Sequence, residues 1–144
     1  MKIVLQRVSS ASVSVDGETV GSIDKGFLVL FGAAKNDTKE DADRLAKKVC
    51  NLRIFEDENE RINKSLNDVG GSLLVISQFT LCADCSHGNR PSFFEAMAPD
   101  DASKLYDYFC EQCKTYIKKV EKGVFGASMR VELVNEGPFT ITLE

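Results

Sequence analysis

The sequence has one histidine, His87, no tryptophan and three prolines among its 144 residues. A single histidine excludes a metal site built from several histidines, and it leaves one candidate base for a Ser-His or Cys-His pair. No run approaches the roughly 18 apolar residues of a membrane helix. The first residues, MKIVLQR, become polar too early for a signal peptide. We therefore expect neither a membrane span nor secretion.

The charge balance is slightly acidic, with 18 Lys and Arg against 22 Asp and Glu and a net charge of −4. Such a chain is unsuited to coating a nucleic-acid backbone, which requires clustered basic side chains. Its length predicts a single domain over residues 1–144, with enough core to fold without disulfides. Five cysteines, an odd number, favour a reducing compartment, and we expect the protein to be cytoplasmic.

Hydrophobic patterning predicts strands near the start of the chain. Residues 3–15 alternate in polarity, and Asp16-Gly17 is typical of a two-residue hairpin turn into a return strand at 18–23. The continuous apolar run at 27–31 is typical of a central strand that is covered on both faces.

A first helix follows these strands. Asp37 or Thr38 can cap it, with Glu40 or Asp41 completing a capping box. One face of the following segment is apolar, as expected for a helix packed on a sheet. That face consists of Ala42, Leu45, Ala46, Val49 and Leu52.

A second helix is expected to begin with a cap near Asp100 or Asp101 and to end before Gly123. Basic residues cluster at its end, where they interact favourably with the negative end of the helix dipole and lie on a solvated face. These residues are Lys114, Lys118, Lys119 and Lys122. The alternative is a local strip that binds phosphate.

The remaining strands complete an α/β fold. A buried run at 72–76 leads into the polar Ser77-Gln78-Phe79-Thr80. Two final strands, 129–133 and 139–143, alternate cleanly, and Asn135-Glu136-Gly137-Pro138 has the composition of a turn between them. The patterns together predict a mainly antiparallel sheet with two principal helices.

Two Cys-x-x-Cys pairs, Cys82/Cys85 and Cys110/Cys113, suggest a zinc site. The gap between the pairs is longer than the ~15–20 residues of the usual pattern. The second pair also lies within an amphipathic helix, where thiols behave as small hydrophobic groups. We favour buried thiols, with a zinc-stapled interaction protein as the alternative. Neither pair opens a helix after a strand, as a thioredoxin-like site requires.

Nucleophile and nucleotide motifs are sparse. His87 lies in a polar loop, where solvation is the commoner role. No G-x-S-x-G, G-x-G-x-x-G or Walker motif occurs. Two segments remain. Ser77–Thr80 places polar side chains at a strand end, where ligands often bind. Gly137-Pro138 can present main-chain carbonyls that no side chain covers.

These two segments, read together, resemble the D-aminoacyl-tRNA deacylase family. The family has a Ser-Gln-x-Thr-Leu strand end, here residues 77–81, and an Asn-x-Gly-Pro-x-Thr turn, here residues 135–140. Further matches fall at Gln6-Arg7-Val8, at Arg90-Pro91-Ser92-Phe93 and at Gly123-x-Phe125-Gly126-x-x-Met129. The resemblance thus covers the whole chain.

The resemblance implies a homodimer with a barrel-like sheet that hydrolyses the ester between a D-amino acid and the 3′ ribose of tRNA. It also implies activity on glycyl-tRNA mischarged on tRNA-Ala. The expected partner is the 3′ acceptor end of D-aminoacyl-tRNA. No cofactor, metal, membrane or other protein partner is implied.

The same resemblance assigns the site. Catalytic roles fall to Ser77, Gln78, Phe79 and Thr80. Substrate binding and chiral selection fall to Arg7, Ala102, Phe125, Met129, Asn135, Gly137, Pro138 and Thr140. The Gly137-Pro138 turn, with a cis bond, is implied to enter the partner subunit's pocket and block an L side chain, and Arg7 to orient that turn.

Two mechanisms remain open. Thr80 is the family's candidate nucleophile, but a hydroxyl nucleophile needs a base and none is evident. We favour attack by water with the substrate's own 2′-hydroxyl, while the N–H groups of Phe79 and Thr80 stabilise the oxyanion. A non-catalytic RNA- or nucleotide-binding module is the alternative function.

Overall fold

The computed structural model describes residues 1–144. In chain order the elements are β1 (Lys2–Val15), β2 (Glu18–Ile23), β3 (Gly26–Gly32), α1 (Lys39–Asn51), β4 (Phe55–Glu56), β5 (Ile62–Lys64), α2 (Leu66–Val69), β6 (Ser72–Ser77), a 3-10 turn (Phe79–Cys82), α3 (Pro99–Lys114), β7 (Val120–Lys122) and β8 (Arg130–Leu143). No helix is long and apolar enough to cross a membrane.

Strand β1 organises the sheet. Its first half pairs with β3, its second half pairs with β2, and β8 runs along its other edge, all antiparallel. The hairpin turn is the predicted one, since Asp16 and Gly17 have φ of 51° and 81°. β3 has the expected central place, with every residue buried except the half-buried Leu30.

The predicted antiparallel pairing is confirmed for all three pairings of β1, but the sheet also contains two parallel pairings that the patterns did not predict. β3 pairs with β6 and β6 with β7 in parallel, so the sheet is mixed. The reason is that α1 and α3 each connect two parallel strands, and such crossovers need a long connection. The second helix was predicted to end before Gly123, but α3 ends at Lys114 and residues 120–122 form β7, a strand too short for its pattern to be recognised.

The final strands are not a hairpin, contrary to the prediction. β8 is one strand whose two halves both pair with β1, with Gln6 opposite Thr140 and Val8 opposite Asn135. Four residues, 136–139, therefore lie opposite Arg7 alone and bulge from the edge of the sheet. The turn-like composition marks this bulged loop.

Sheet curvature produces two cores. Phe27, Val29 and Val75 point to the face covered by α1 and α3, whereas Leu28 and Leu74 point into the curled sheet. The open edges β2 and β7 come close together. A Cβ atom added at Gly21 of β2 would lie 2.9 Å from the Lys122 carbonyl oxygen, so glycine permits this nearly closed, barrel-like form.

The helix ends match the sequence in part. Thr38 and Asp41 form the expected capping box of α1. α3 instead begins at Pro99 with Ala98 as N-cap and no side-chain cap, so the Asp100 and Asp101 cap prediction was wrong. Both carboxylates lie in its first turn, where they interact favourably with the positive end of the helix dipole.

Candidate active site

A cavity of about 290 Å³ opens at the carboxyl ends of β3 and β6. These strands are parallel neighbours, so their ends meet at one edge of the sheet, the usual place for a ligand in α/β proteins. The cavity is lined by Phe31, Ala33, Ile76, Ser77, Gln78, Phe79, Ala102, Phe125, Gly126, Ala127, Met129 and Val131. Most of these are apolar, and polar groups gather at the end of β6.

The pairing of β6 with β3 ends at Gln78, whose N–H donates to the Phe31 carbonyl oxygen at 2.7 Å. The 3-10 turn starts at the next residue. The first N–H groups of such a turn have no partner inside it. The N–H groups of Phe79 and Thr80 are therefore free of acceptors within the turn. Phe79 lines the cavity and Thr80 follows it in the chain, so both donors belong to the turn at the polar edge of the cavity.

Thr80 lies outside the cavity lining and is held by its neighbour. The Gln78 Nε2 group donates to Thr80 Oγ1 at 2.6 Å, and both residues are polar and accessible. No carboxylate, imidazole or amine contacts this hydroxyl. His87 lies exposed in the loop after the turn and makes no hydrogen bond with it. The hydroxyl therefore lacks a base to activate it.

Tyr106 fixes α3 against the cavity. Its buried hydroxyl donates to the Val75 carbonyl oxygen at 2.7 Å, and its ring lies 5.9 Å from that of Phe125. Burial raises the pKa of Tyr106 far above its ordinary value, so it stays neutral. This contact sets the position of Ala102, one turn earlier on α3, in the cavity wall.

The bulged loop at 136–139 is closed at its base by Asn135. Its Nδ2 donates to Thr140 Oγ1 at 2.9 Å, and its Oδ1 accepts from the Phe139 N–H at 2.6 Å. One amide thus ties together both ends of the loop. This geometry explains the spacing of asparagine and threonine in the Asn-x-Gly-Pro-x-Thr motif.

Arg7 supports the loop from below and is only 8% exposed. Its guanidinium donates to the carbonyl oxygens of Glu136 at 3.0 Å and Ile54 at 2.7 Å. It also lies over the Phe139 ring, 4.8 Å from the centroid. A charge this deeply buried is tolerated because several acceptors and a π face surround it.

The loop presents Gly137 and Pro138 to solvent, joined by a cis peptide bond. Gly137 has φ of 140°, and a Cβ atom there would lie 3.2 Å from Arg7 Nη2. Both the backbone conformation and the close guanidinium favour glycine at this position.

The predicted site residues form two separate groups within one chain. Ser77, Gln78, Phe79, Ala102, Phe125 and Met129 line the cavity. Gly137 and Pro138 lie in the bulged loop instead, and Arg7, Asn135 and Thr140 support it. Gly137 borders a different cleft of about 480 Å³ with Arg7, Lys25 and Glu136.

Sequence reasoning missed the cavity's apolar wall. Phe31, Ala33 and Ile76 line the cavity at or just beyond the ends of β3 and β6. Their signal was the position of two buried runs, of which the second is followed by polar residues and the first by small ones. That signal predicts a shared edge only if the two strands are parallel, which the patterning did not reveal.

The cysteines do not assemble a metal site. No group of three or more His, Cys, Asp or Glu side chains comes together in ligating geometry. Cys110 and Cys113 are fully buried in the core, and Cys85 is exposed. Burial raises the pKa of Cys110 to about 12, so the thiol stays protonated in the core. The zinc-stapled alternative therefore has no support in the fold.

Comparison with known proteins gives close relatives. A family model described as D-Tyr-tRNA(Tyr) deacylase matches residues 4–144. A D-aminoacyl-tRNA deacylase of Clostridium novyi (strain NT) is 56% identical, covering 100% of this chain and 97% of the relative. One of Thermosipho africanus (strain TCF52B) is 55% identical with the same coverage.

Two solved structures share the fold. One, titled c-Myc DNA Unwinding Element Binding Protein, has a TM-score of 0.94 at 43% identity and covers 100% of this chain and 98% of its own. The other is described as a probable eukaryotic D-amino acid tRNA deacylase. It has a TM-score of 0.85 at 20% identity, covers 99% of this chain and 97% of its own, and shows the fold alone.

Proposed function

The chain belongs to the D-Tyr-tRNA(Tyr) deacylase family and is a hydrolase of the ester bond in D-aminoacyl-tRNA, and from this premise we propose how its residues divide the work. The observation that carries the proposal is the cavity beside the N–H groups of Phe79 and Thr80. Its apolar walls suit one end of a substrate, and its polar edge suits the reacting ester.

The N–H groups of Phe79 and Thr80 would receive the carbonyl oxygen of the ester as it gains negative charge. One such donor is worth about 10²–10³ in rate, because it is positioned before the reaction begins. A water molecule attacks the carbonyl carbon, and the bond to the ribose 3′-oxygen breaks. The attacking water loses a proton to the substrate's neighbouring 2′-hydroxyl, which passes its own proton to the leaving 3′-oxygen, so that the free amino acid and the 3′-hydroxyl of tRNA are formed.

Gln78 then has a positioning role. Its side-chain amide donates to the Thr80 hydroxyl at 2.6 Å. Its main chain fixes the turn that carries both N–H donors, since the Gln78 N–H donates to the Phe31 carbonyl oxygen and the Gln78 carbonyl oxygen accepts from the Leu81 N–H. Ser77, the last residue of β6, adds a polar side chain at the cavity edge.

Chiral selection is assigned to a second copy of the chain. The Gly137-Pro138 loop is exposed, braced by Arg7 and Asn135, and remote from the cavity of its own chain. In a homodimer it would cover the partner's cavity, where main-chain atoms meet the substrate's α-amino group. A rigid main-chain wall excludes an L side chain better than a mobile side chain could.

Glycine lacks a side chain on either side of its α-carbon, so such a wall would not reject it. We therefore extend the proposed substrates to glycyl-tRNA mischarged on tRNA-Ala. The side chain of a D-amino acid would point away from the wall, so the site should accept many D-amino acids.

The test is release of amino acid from D-Tyr-tRNA, L-Tyr-tRNA and glycyl-tRNA(Ala) by the purified protein. We expect the protein to hydrolyse the D-tyrosyl and glycyl esters and to leave the L-tyrosyl ester intact. Equal hydrolysis of both tyrosyl enantiomers would refute the wall.

A second candidate is a nucleic-acid-binding module without turnover, which the DNA-binding title of one solved relative brings forward. The net charge of −4 argues against broad backbone binding. Binding of RNA or DNA with no release from any ester would favour this candidate.

The same proposal covers the extent of the domain, the cofactor requirement, the partner and the location of the protein. Residues 1–144 act as one deacylase domain, supported by a sheet in which the first and last strands pair. The protein needs no cofactor, and its partner is the 3′ acceptor end of tRNA. The cysteines are all free, which suits the expected cytoplasmic location.

A further inference from the structure

The surface beside the cavity carries three exposed aromatic rings, Phe79, Phe93 and Phe94. Phe94 is 74% exposed, which is unusual for the largest apolar side chains. Phe79 both lines the cavity and packs edge-on against Phe93, with ring centroids 5.0 Å apart. The aromatic surface is thus continuous with the cavity wall.

The segment that carries these rings is fixed to the body of the protein. The Lys35 N–H donates to the Glu95 carbonyl oxygen at 3.0 Å, and the Met97 N–H donates to that of Ala33 at 3.0 Å. Ala33 itself lines the cavity. The rings therefore hold a defined position relative to the reacting centre.

Lys35 adds a cation to this surface. Its Nζ lies 3.0 Å from the centroid of the Phe94 ring, and the high exposure of Phe94 leaves other ring surface open to solvent. An aromatic ring beside an ammonium group can stack a nucleobase while the cation meets a phosphate. Glu95 is the carboxylate of the same segment, which argues for stacking with one cation rather than a broad phosphate-binding face.

We propose that Phe93, Phe94 and Lys35 form a stacking platform for the unpaired nucleotides that precede the terminal adenosine of the tRNA. The proposal rests on the proposed function, because the aminoacylated end must lie in the cavity. From there the strand leaves past Phe79 and meets the platform. Binding of single strands combines base stacking on aromatic rings with cations that meet the phosphates, and Lys35 supplies the cation at this surface.

The lysines after α3 are a weaker candidate for this contact. Lys114 pairs with Glu111 at 2.7 Å, and Lys122 pairs with Asp107 at 2.8 Å. Two of the four lysines, Lys114 and Lys122, are therefore already paired with carboxylates of the chain. None of the four, which include Lys118 and Lys119, lines the cavity.

The test compares two substrates of the same ester, D-Tyr-tRNA and 3′-O-(D-tyrosyl)adenosine, which lacks the preceding nucleotides. Phe94→Ser should lower kcat/KM for D-Tyr-tRNA by about fivefold or more, because one base loses its stacking partner. It should leave hydrolysis of the short substrate unchanged. Phe94→Tyr, which keeps the ring, should retain activity on both.

The matched control is Ile62→Ser, which replaces an exposed apolar side chain on the β4–β5 hairpin and should change hydrolysis of neither substrate. Equal loss on both substrates would overturn the platform, as would no loss on either. A change in sedimentation of the Phe94→Ser protein would also overturn it, and would identify the surface as an interface between copies of the chain.

A binding measurement separates this proposal from the activity. Fluorescence anisotropy of a labelled single-stranded RNA ending in CCA should weaken with Phe94→Ser, and Lys35→Gln should reduce the salt slope by about 0.7. If the wild type hydrolyses neither ester, the proposed function fails and this measurement alone decides the platform. Unchanged binding and salt slope in both variants would overturn it.

Discussion

At the scale of single residues, main-chain atoms carry more of the proposed chemistry than side chains do. The cavity has no histidine and no carboxylate in its lining. Phe79 and Thr80 matter through their N–H groups, and Gly137 through the absence of a side chain. The lone histidine of the sequence is therefore uninformative about catalysis, because a site built on main-chain donors needs no imidazole.

Thr80→Ala tests whether the hydroxyl is a nucleophile. We expect kcat for D-Tyr-tRNA to stay within about threefold of the wild type, because the N–H of residue 80 remains and only a hydrogen bond to Gln78 is lost. Single-turnover hydrolysis measures the chemical step. The control is Thr19→Ala, an exposed threonine on β2. A collapse in kcat with unchanged binding would return Thr80 to the nucleophile role.

At the scale of elements, the proposed chiral selection requires the bulged loop of β8 to be rigid. Its order comes from side chains at both ends, since Asn135 and Thr140 join across the base and Arg7 holds Glu136 from beneath. A loop held this way can keep its main-chain atoms in place against a substrate. Breaking the hydrogen bonds at the foot of this loop should therefore reduce chiral selectivity before it reduces the stability of the fold.

Removing the Asn135–Thr140 hydrogen bond should lower chiral selectivity. We expect Asn135→Ala to reduce the ratio of D- to L-Tyr-tRNA hydrolysis by about tenfold or more, since it removes two hydrogen bonds that are each worth on the order of 1 kcal/mol. Thr140→Ser keeps the acceptor hydroxyl and should keep the ratio. Thermal unfolding of each variant separates loop effects from misfolding. An unchanged ratio in Asn135→Ala would contradict the loop's role.

The sequence predicts some elements far better than others. Local signals such as Asp16-Gly17 and the Thr38/Asp41 capping box lie within a few residues and were read correctly. Whether β3 and β6 run parallel depends on how distant segments cross over, and no local pattern encodes it. The β8 loop was recognised as a turn, but its place inside one strand depends on pairing with β1.

The candidate site also combines residues that the sequence predicts with residues that only the fold brings together. The residues at the end of β6 and in the Gly-Pro loop carry motifs, so their importance could be predicted. Phe31 and Ile76 are ordinary apolar strand residues, and only the fold makes them a cavity wall. The bracing of Glu136 by Arg7 joins residues 129 positions apart and also required the structure.

At the scale of the whole molecule, one chain contains both halves of the proposed site but does not bring them together. The cavity lies at the ends of β3 and β6, and the Gly137-Pro138 loop borders a different cleft. Two copies related by a twofold axis would each donate a loop to the other's cavity. The central claim is therefore that a complete active site takes residues from two subunits.

Subunit complementation tests this claim most directly. Gly137→Val should disable the loop, because a Cβ atom meets Arg7 at 3.2 Å and φ is 140°. Phe79→Pro should disable the cavity by removing one N–H donor, and proline is tolerated at the start of a helical turn. Phe79→Leu, which keeps the N–H, is the matched control and should stay active.

The measurement is D-Tyr-tRNA hydrolysis by mixed dimers, isolated through two different affinity tags on the Gly137→Val and Phe79→Pro chains. Each mixed dimer combines one intact cavity with one intact loop from its partner, so the account predicts D-selective activity at about half of the wild-type rate. Homodimers of either variant should lack D-selective hydrolysis. Mixed dimers that recover none would contradict a site shared between subunits.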